Sequence, residues 1–253
     1  MMISEATWRK YINALRMVND QAADLIRDWL KVNGLPETRA QMNALIDYAY
    51  AVSNTYGEAA ATLAAEMYDA AAALSGKVLP AALPAPAPEI NEVAKAVVGT
   101  AKTGNTEIIS GAIGRLVKQT GVDTTMQNAL RDGAEWAWIP VGDTCAFCIT
   151  LASRGWQRAS RKALKGGHAE HIHANCDCTY AIRFDPFSEV EGYDPQKYLE
   201  MYQGADGRKP KDKINAMRRE FYAENSEEIN AQKRDNYEKR KEREISQAEE
   251  ADV

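Results

Sequence analysis

Every cysteine and every histidine of this chain lies between residues 145 and 178. Four cysteines (Cys145, Cys148, Cys176, Cys178) and three histidines (His168, His171, His173) share that span in a sequence of 253 residues. Cys145 and Cys148 form a C-x2-C pair, and His173 and Cys176 form an H-x2-C pair. Zinc takes four thiolate or imidazole ligands in a tetrahedron, and two short turns that each offer two ligands can supply them. The spacing predicts a structural zinc site made by Cys145, Cys148, His173 and Cys176. Cys178 is the alternative to Cys176. In a strand over 176–184 these two would point to one face about 6.6 Å apart, too far for both to bind unless the strand starts later. His168 and His171 rank behind these five as ligands.

Other chemistries fit the cluster less well. The first twenty residues lack an apolar signal core, so a reducing compartment is expected, which disfavours two disulfides. The flanks of the C-x2-C pair show no strand–turn–helix pattern of the thioredoxin kind. His168-Ala169-Glu170 has the H-x-E form of zinc deaminases, but there the C-x-x-C follows and here it precedes. A catalytic zinc keeps an open position, whereas four or five soft ligands close the sphere. The expectation is a protein that is not an enzyme. The alternatives are a nuclease-like zinc enzyme using His168, Glu170 and His171, and a zinc-containing adaptor that binds proteins through its helices.

The motifs around the cluster point to a family. The runs Trp136-Ala137-Trp138-Ile139-Pro140, Asp143-Thr144-Cys145-Ala146-Phe147-Cys148, Leu151-Ala152-Ser153-Arg154-Gly155-Trp156 and His173-Ala174-Asn175-Cys176-Asp177-Cys178-Thr179 resemble those of the phage Mu F-like minor head (head morphogenesis) proteins of tailed bacteriophages. The resemblance covers about residues 130–184; the helices before it match in character and the tail after it does not match. It implies a minor capsid component of the virion interior, present in the host cytoplasm during assembly. Its implied partners are the portal protein and the major capsid or scaffold protein, with phage DNA a further candidate and ejection with the DNA a further implication.

The rest of the chain reads as mainly α. Apolar positions at Trp8, Tyr11, Leu15, Val18, Ala22, Leu25 and Trp29 make one helix stripe, with Ser4 as its cap and Gly34 as its stop. A second stripe runs from residue 37 to Leu74 with Gly57 as a weak point, so 1–76 reads as a helical hairpin. Residues 77–89 hold four prolines from Pro80 to Pro88 and read as a semi-rigid spacer. Residues 90–140 read as a helical body of three helices, the first marked by Ile90, Val93, Ala94 and Val97, the second capped at Asn105 or Thr106 and the third at Asp123, the last running into Trp136 and Trp138. Residues 141–184 read as a small zinc-stabilised α+β module. In 185–253, Asp194-Pro195 starts a short helix, and a charged helical or disordered tail follows, with 226–253 expected to order only against a partner.

Charge and hydropathy narrow the function. No run of apolar residues is long enough to span a membrane. The net charge of −5 argues against a general nucleic-acid binder. The 141–184 segment reverses that sign through Arg154, Arg158, Arg161, Lys162, Lys165 and Arg183; a solvated face is the commonest cause of such a cluster, and a nucleic-acid contact or an acidic portal or capsid surface are the alternatives.

Overall fold

The fold is taken from a computed structural model that describes residues 2–141, 144–160 and 178–227, with 230, 231, 234 and 238 beyond them. Among the described residues it is mainly helical, with a small sheet. Helix α1 (Glu5–Asn33) starts where Ser4 accepts the Thr7 N–H and ends at Gly34, whose φ of 74° suits glycine. Helix α2 (Arg39–Leu74) opens with a capping box in which Thr38 accepts from Gln41 N and Gln41 reaches back to Thr38 N. The two form the expected hairpin, with Trp29 stacked on Tyr48 at 6.1 Å between ring centroids.

The hairpin does not pack alone. Trp8, Tyr11, Leu15 and Tyr68 lie in one continuous core with residues of α3 (Ile90–Ala101), α4 (Thr106–Asp132) and the sheet. The sequence divides 105–138 at Asp123, but one helix of 27 residues runs through that point. Asn105 does cap it, accepting from Glu107 N and Ile108 N. Asp123 instead sits mid-helix and accepts a hydrogen bond from Gln119 Nε2 at 2.8 Å. The reason is burial: α4 is covered by α1, α2, α3 and the sheet, so it has no single apolar stripe, and its buried Thr120, Thr124, Thr125 and Asn128 resemble a break when read along the sequence.

Two glycines explain how closely α2 and α4 approach. A Cβ at Gly121 would sit 3.2 Å from the Ala60 carbonyl oxygen, and one at Gly57 would sit 3.3 Å from Thr120 Oγ1. Gly57, expected to be a weak point in α2, is a packing contact inside an unbroken helix. Alanines at 60, 61, 64 and 65 continue the close seam.

The proline-rich segment is not a spacer. Asn128 on α4 accepts from Leu83 N at 3.0 Å and donates to Leu83 O at 2.9 Å, as a neighbouring strand would. Thr124 Oγ1 accepts from Ala85 N, Asp69 Oδ1 accepts from Ala82 N, and Arg131 donates to the Pro80 and Ala81 carbonyls. Proline removes backbone donors, and side chains of α2 and α4, among them the buried Thr124 and Asn128, meet donors and acceptors that remain. The segment is a strap bound along the bundle.

Trp136 and Trp138, expected at the end of a helix, lie in a strand. Gly133, at φ 68°, ends α4, and β2 (Glu135–Ile139) follows with the bulky residues that suit a pleated surface. It is central in a three-stranded antiparallel sheet, ordered β3 (Gln157–Arg158), β2, β4 (Thr179–Arg183). The register Trp138↔Tyr180 and Glu135↔Arg183 ties the 90–140 segment to the 141–184 segment. A two-stranded parallel pair joins β1 (Met2–Ile3) to β5 (Glu189–Val190). Helix α6 (Pro195–Gly204) starts at the expected Asp194-Pro195, with Asp194 accepting from Gln196 N and Lys197 N. Helix α7 (Pro210–Glu224) comes last. No helix among the described residues is long and apolar enough to cross a membrane. Residues 226–253 lie largely outside the described residues.

Candidate metal centre

The first cysteine pair sits at the start of α5 (Ala146–Ala152), with Cys145 as its N-cap residue and Cys148 in its first turn. Positions three apart on a helix face the same side, so both sulfurs are offered from one turn. Cys145 is half-buried, and Cys148 is 1% exposed. Cys178 stands immediately before β4 and is equally buried; its sulfur accepts the Val141 N–H at 3.4 Å. The strand therefore starts after Cys178, the condition under which Cys176 and Cys178 need not compete. No disulfide links Cys145, Cys148 and Cys178 to one another.

Two walls hold α5 in place. On one side is the sheet: Tyr180 packs edge-on to Trp136 and Trp138, with ring centroids 4.5 and 4.7 Å apart. Burial pushes the Tyr180 phenol well above its ordinary value; Arg154 opposes the shift and the neighbouring Cys148 thiol adds to it. On the other side are the C-terminal helices: Ala146 and Ile149 of α5 share a second, smaller core with Ala205, Ala216 and Met217. Lys213 on α7 fastens this wall by donating to the carbonyls of Tyr202, Gln203 and Ala205 at the end of α6.

The L-A-S-R-G run has a local cause. Gly155 adopts φ +61°, a left-handed conformation that other residues rarely take, so the turn that ends α5 and leads to β3 favours glycine. Tyr193 OH then donates to Ala152 O at 2.9 Å and closes the C-terminal end of α5. Trp156 carries Arg183 over its ring at 4.6 Å, and Arg183 also pairs with Glu135 at 2.8 Å.

Of the predicted site residues, the structure places Cys145, Cys148 and Cys178. His168, Glu170, His171, His173 and Cys176 lie outside the described residues, as do Arg161, Lys162 and Lys165. Among the described residues, no three His, Cys, Asp or Glu side chains come together as a metal-holding group. The donors that are placed suit a soft ion such as zinc: two sulfurs on one turn, and a third sulfur that accepts a backbone N–H, as metal-bound thiolates commonly do. The sequence did not reveal the second wall. Its signal was the stripe Ile214, Met217 and Phe221, of which Met217 is buried.

A search of curated proteins and a search of solved structures give no match. A family model described as VG15 protein matches residues 2–205, a stretch that takes in the bundle, the strap, the sheet, α5 and α6 and stops short of α7. With most of its length covered in this way, the chain belongs to the VG15 protein family, a viral (phage) protein family.

Proposed function

We propose that this protein is a minor capsid (head morphogenesis) component that sits near the portal inside the virion and carries one structural zinc. The observation that supports this most is that the phage-family match spans the cysteine segment, whose motifs resemble those of Mu F-like minor head proteins. The zinc would be held by Cys145, Cys148, His173 and Cys176, with Cys178 as the alternative ligand. The N–H that Val141 gives to the Cys178 sulfur supports a place for Cys178 in the site.

Zinc bound there would supply folding free energy by tying the first turn of α5 to the chain that leads into β4. Cys148 and Cys178 lie in apolar and aromatic surroundings, which suits a closed structural site and no enzymatic role. The partners in this reading are the portal protein and the major capsid or scaffold protein. The test is co-expression with the portal protein of the same phage, affinity purification, and metal analysis of the purified chain. Co-purification with about one zinc per chain is expected. No portal association and absence from purified virions would overturn the head-assembly reading. Zinc retained together with a hydrolytic activity that Glu170→Ala abolishes would favour the enzyme instead.

A further inference from the structure

Between the C-terminal half of α1 and the N-terminal half of α4 lies a cleft of about 300 Å³. Its floor is made by Ala23 of α1 and by Gly111 and Gly114 of α4. A Cβ at Gly114 would already touch the Asn19 carbonyl oxygen at 3.4 Å and the Ala23 Cβ at 3.6 Å, so the space is kept by the lack of side chains on α4. The walls are acidic. Asp20 and Asp24 stand on successive turns of α1, Glu107 stands in the first turn of α4, and Arg27 is shared between Asp24 and Glu107 at one end. Three carboxylates against one guanidinium leave the cleft negative. Arg16 and Arg115 lie beyond its other end and do not line it.

Asn19 asks for an occupant of a particular kind. This residue lines the cleft, and its carboxamide oxygen is buried and meets no hydrogen-bond donor among the described residues. A buried acceptor left unpaired costs stability until a donor reaches it. Arg27 does not supply one, because its guanidinium is engaged by Asp24 and Glu107 two turns further along. The group that fits here brings N–H donors and positive charge together, which is the chemistry of a lysine ammonium or an arginine guanidinium.

We propose that the cleft seats a basic run of the chain's own C-terminal segment, Lys239-Arg240-Lys241-Glu242-Arg243. This run lies outside the described residues. Four cations and one carboxylate make it opposite in sign to the cleft. The reach is sufficient. Helix α7 ends at Glu224, and the 15 residues from there to Lys239 span about 22 Å as a helix and up to roughly 50 Å extended. The start of α1 is tied to the chain that enters α6, since Glu5 N donates to Glu191 Oε2 at 2.9 Å. From Glu5 to Asp20 the helix rises about 22 Å, so the segment that leaves α7 can run along α1 to the cleft. A polyanion such as DNA is repelled by these walls. A tail of mixed charge, with too few apolar residues to fold alone, thus finds its ordering surface on the bundle of the same chain. Neither the zinc site nor the head-assembly reading enters this inference.

The experiment is hydrogen exchange along the full-length chain at low and high salt, with zero-length carbodiimide coupling of amines to carboxylates as a second readout. In wild type at low salt the amides of 237–245 should exchange at least ~10-fold more slowly than in the double variant Asp20→Lys, Asp24→Lys, and high salt should erase that protection. Lys239 or Lys241 should couple to Asp20, Asp24 or Glu107 of the same chain. Lys239→Glu, Arg240→Glu and Lys241→Glu combined should lose the protection, and joining them to the reversed cleft should restore it. These three substitutions leave the bundle untouched, so they decide the matter even if the cleft variant fails to fold by circular dichroism. A control that neutralises two exposed carboxylates of α2 (Glu58→Gln, Glu66→Gln) should behave as wild type does. Unprotected amides at 237–245 in wild type, equal effects of the cleft and control variants, or no recovery on combining the reversals would overturn the proposal. So would coupling that a mixture of isotope-labelled and unlabelled chains shows to run between two copies.

Discussion

The bundle and the cysteine half of the molecule are stabilised in different ways. In the bundle, α4 is enclosed by three helices and a sheet, and the core that runs through it includes Ile26, Leu45, Ile109, Ile113, Val117 and Met126, each essentially inaccessible to solvent. Around α5 the second core holds five buried residues, two of them from α5 and the largest of them Ile149 and Met217. Burying a large aliphatic side chain contributes about 1.5–3 kcal/mol, so the bundle has ample apolar stabilisation and the α5–α6–α7 wall has little. Where apolar burial is scarce, at the wall of α6 and α7, the chain places a lysine bonded to three carbonyls.

The sharpest way to break that comparison is to remove the sulfur. Cys148→Ser should abolish zinc binding and loosen α5 and its flanks, while the helical signal of the bundle persists; chelation of the wild-type protein should reproduce the change. Metal analysis with hydrogen exchange resolved along the chain would show it. If the whole molecule unfolded in one step on chelation, the two regions would not be energetically distinct. Trp138→Ala attacks the element they share. It removes a fully buried side chain from the sheet that backs α5, and a loss of about 3–5 kcal/mol is expected in chemical denaturation. Both regions should lose stability together.

A smaller effect sharpens the comparison inside each half. Lys213→Met keeps the aliphatic stem but removes the ammonium from the Tyr202, Gln203 and Ala205 carbonyls. The expected cost is about 1–2 kcal/mol, felt as faster exchange of α7 amides with the bundle unchanged. In the bundle, burial raises the Asp123 carboxyl to about 6, with Gln119 opposing and the carboxylate of Glu92 adding to the shift. An acid whose folded-state pKa is raised destabilises the fold once it ionises. Stability should therefore fall as pH rises from about 4 to about 6 through this group. Asp123→Asn should flatten that dependence and gain roughly 1–2 kcal/mol near neutral pH, discounted from the full shift because the side chain is partly accessible. Thermal denaturation across pH measures both.

Parts of this architecture were readable along the sequence because their signals are local. Ser4, Asn105 and Asp194 cap helices in the structure, and the α1 stripe faces the core, since amphipathicity is strong at a helix packed on one side. The signals failed where the cause is distant. α4 has no stripe because it is buried on all sides. The prolines of 80–88 suggest an extended spacer until Asn128, some forty positions later, is seen to pair with Leu83. Trp136 and Trp138 are placed by β4, which lies on the far side of the cysteine segment. At the site itself, the grouping of the cysteines was visible at once, whereas the wall of α6 and α7 behind α5 rests on a few residues of an otherwise charged stretch.

The pairing of β1 with β5 sets an order of events. Met2 lies opposite Glu189 and Ile3 opposite Val190, and the Ile3 carbonyl accepts from Glu191 N. Closing so long a loop costs entropy that local helix contacts do not, so this pairing belongs among the slow steps of folding. During synthesis the bundle helices can form and collapse early, but the segment preceding α1 has no strand to join until residues near 190 have left the ribosome. The start of the chain is thus held until the cysteine segment has been made, and a ribosome stalled before that point would carry a bundle whose first strand is still unpaired.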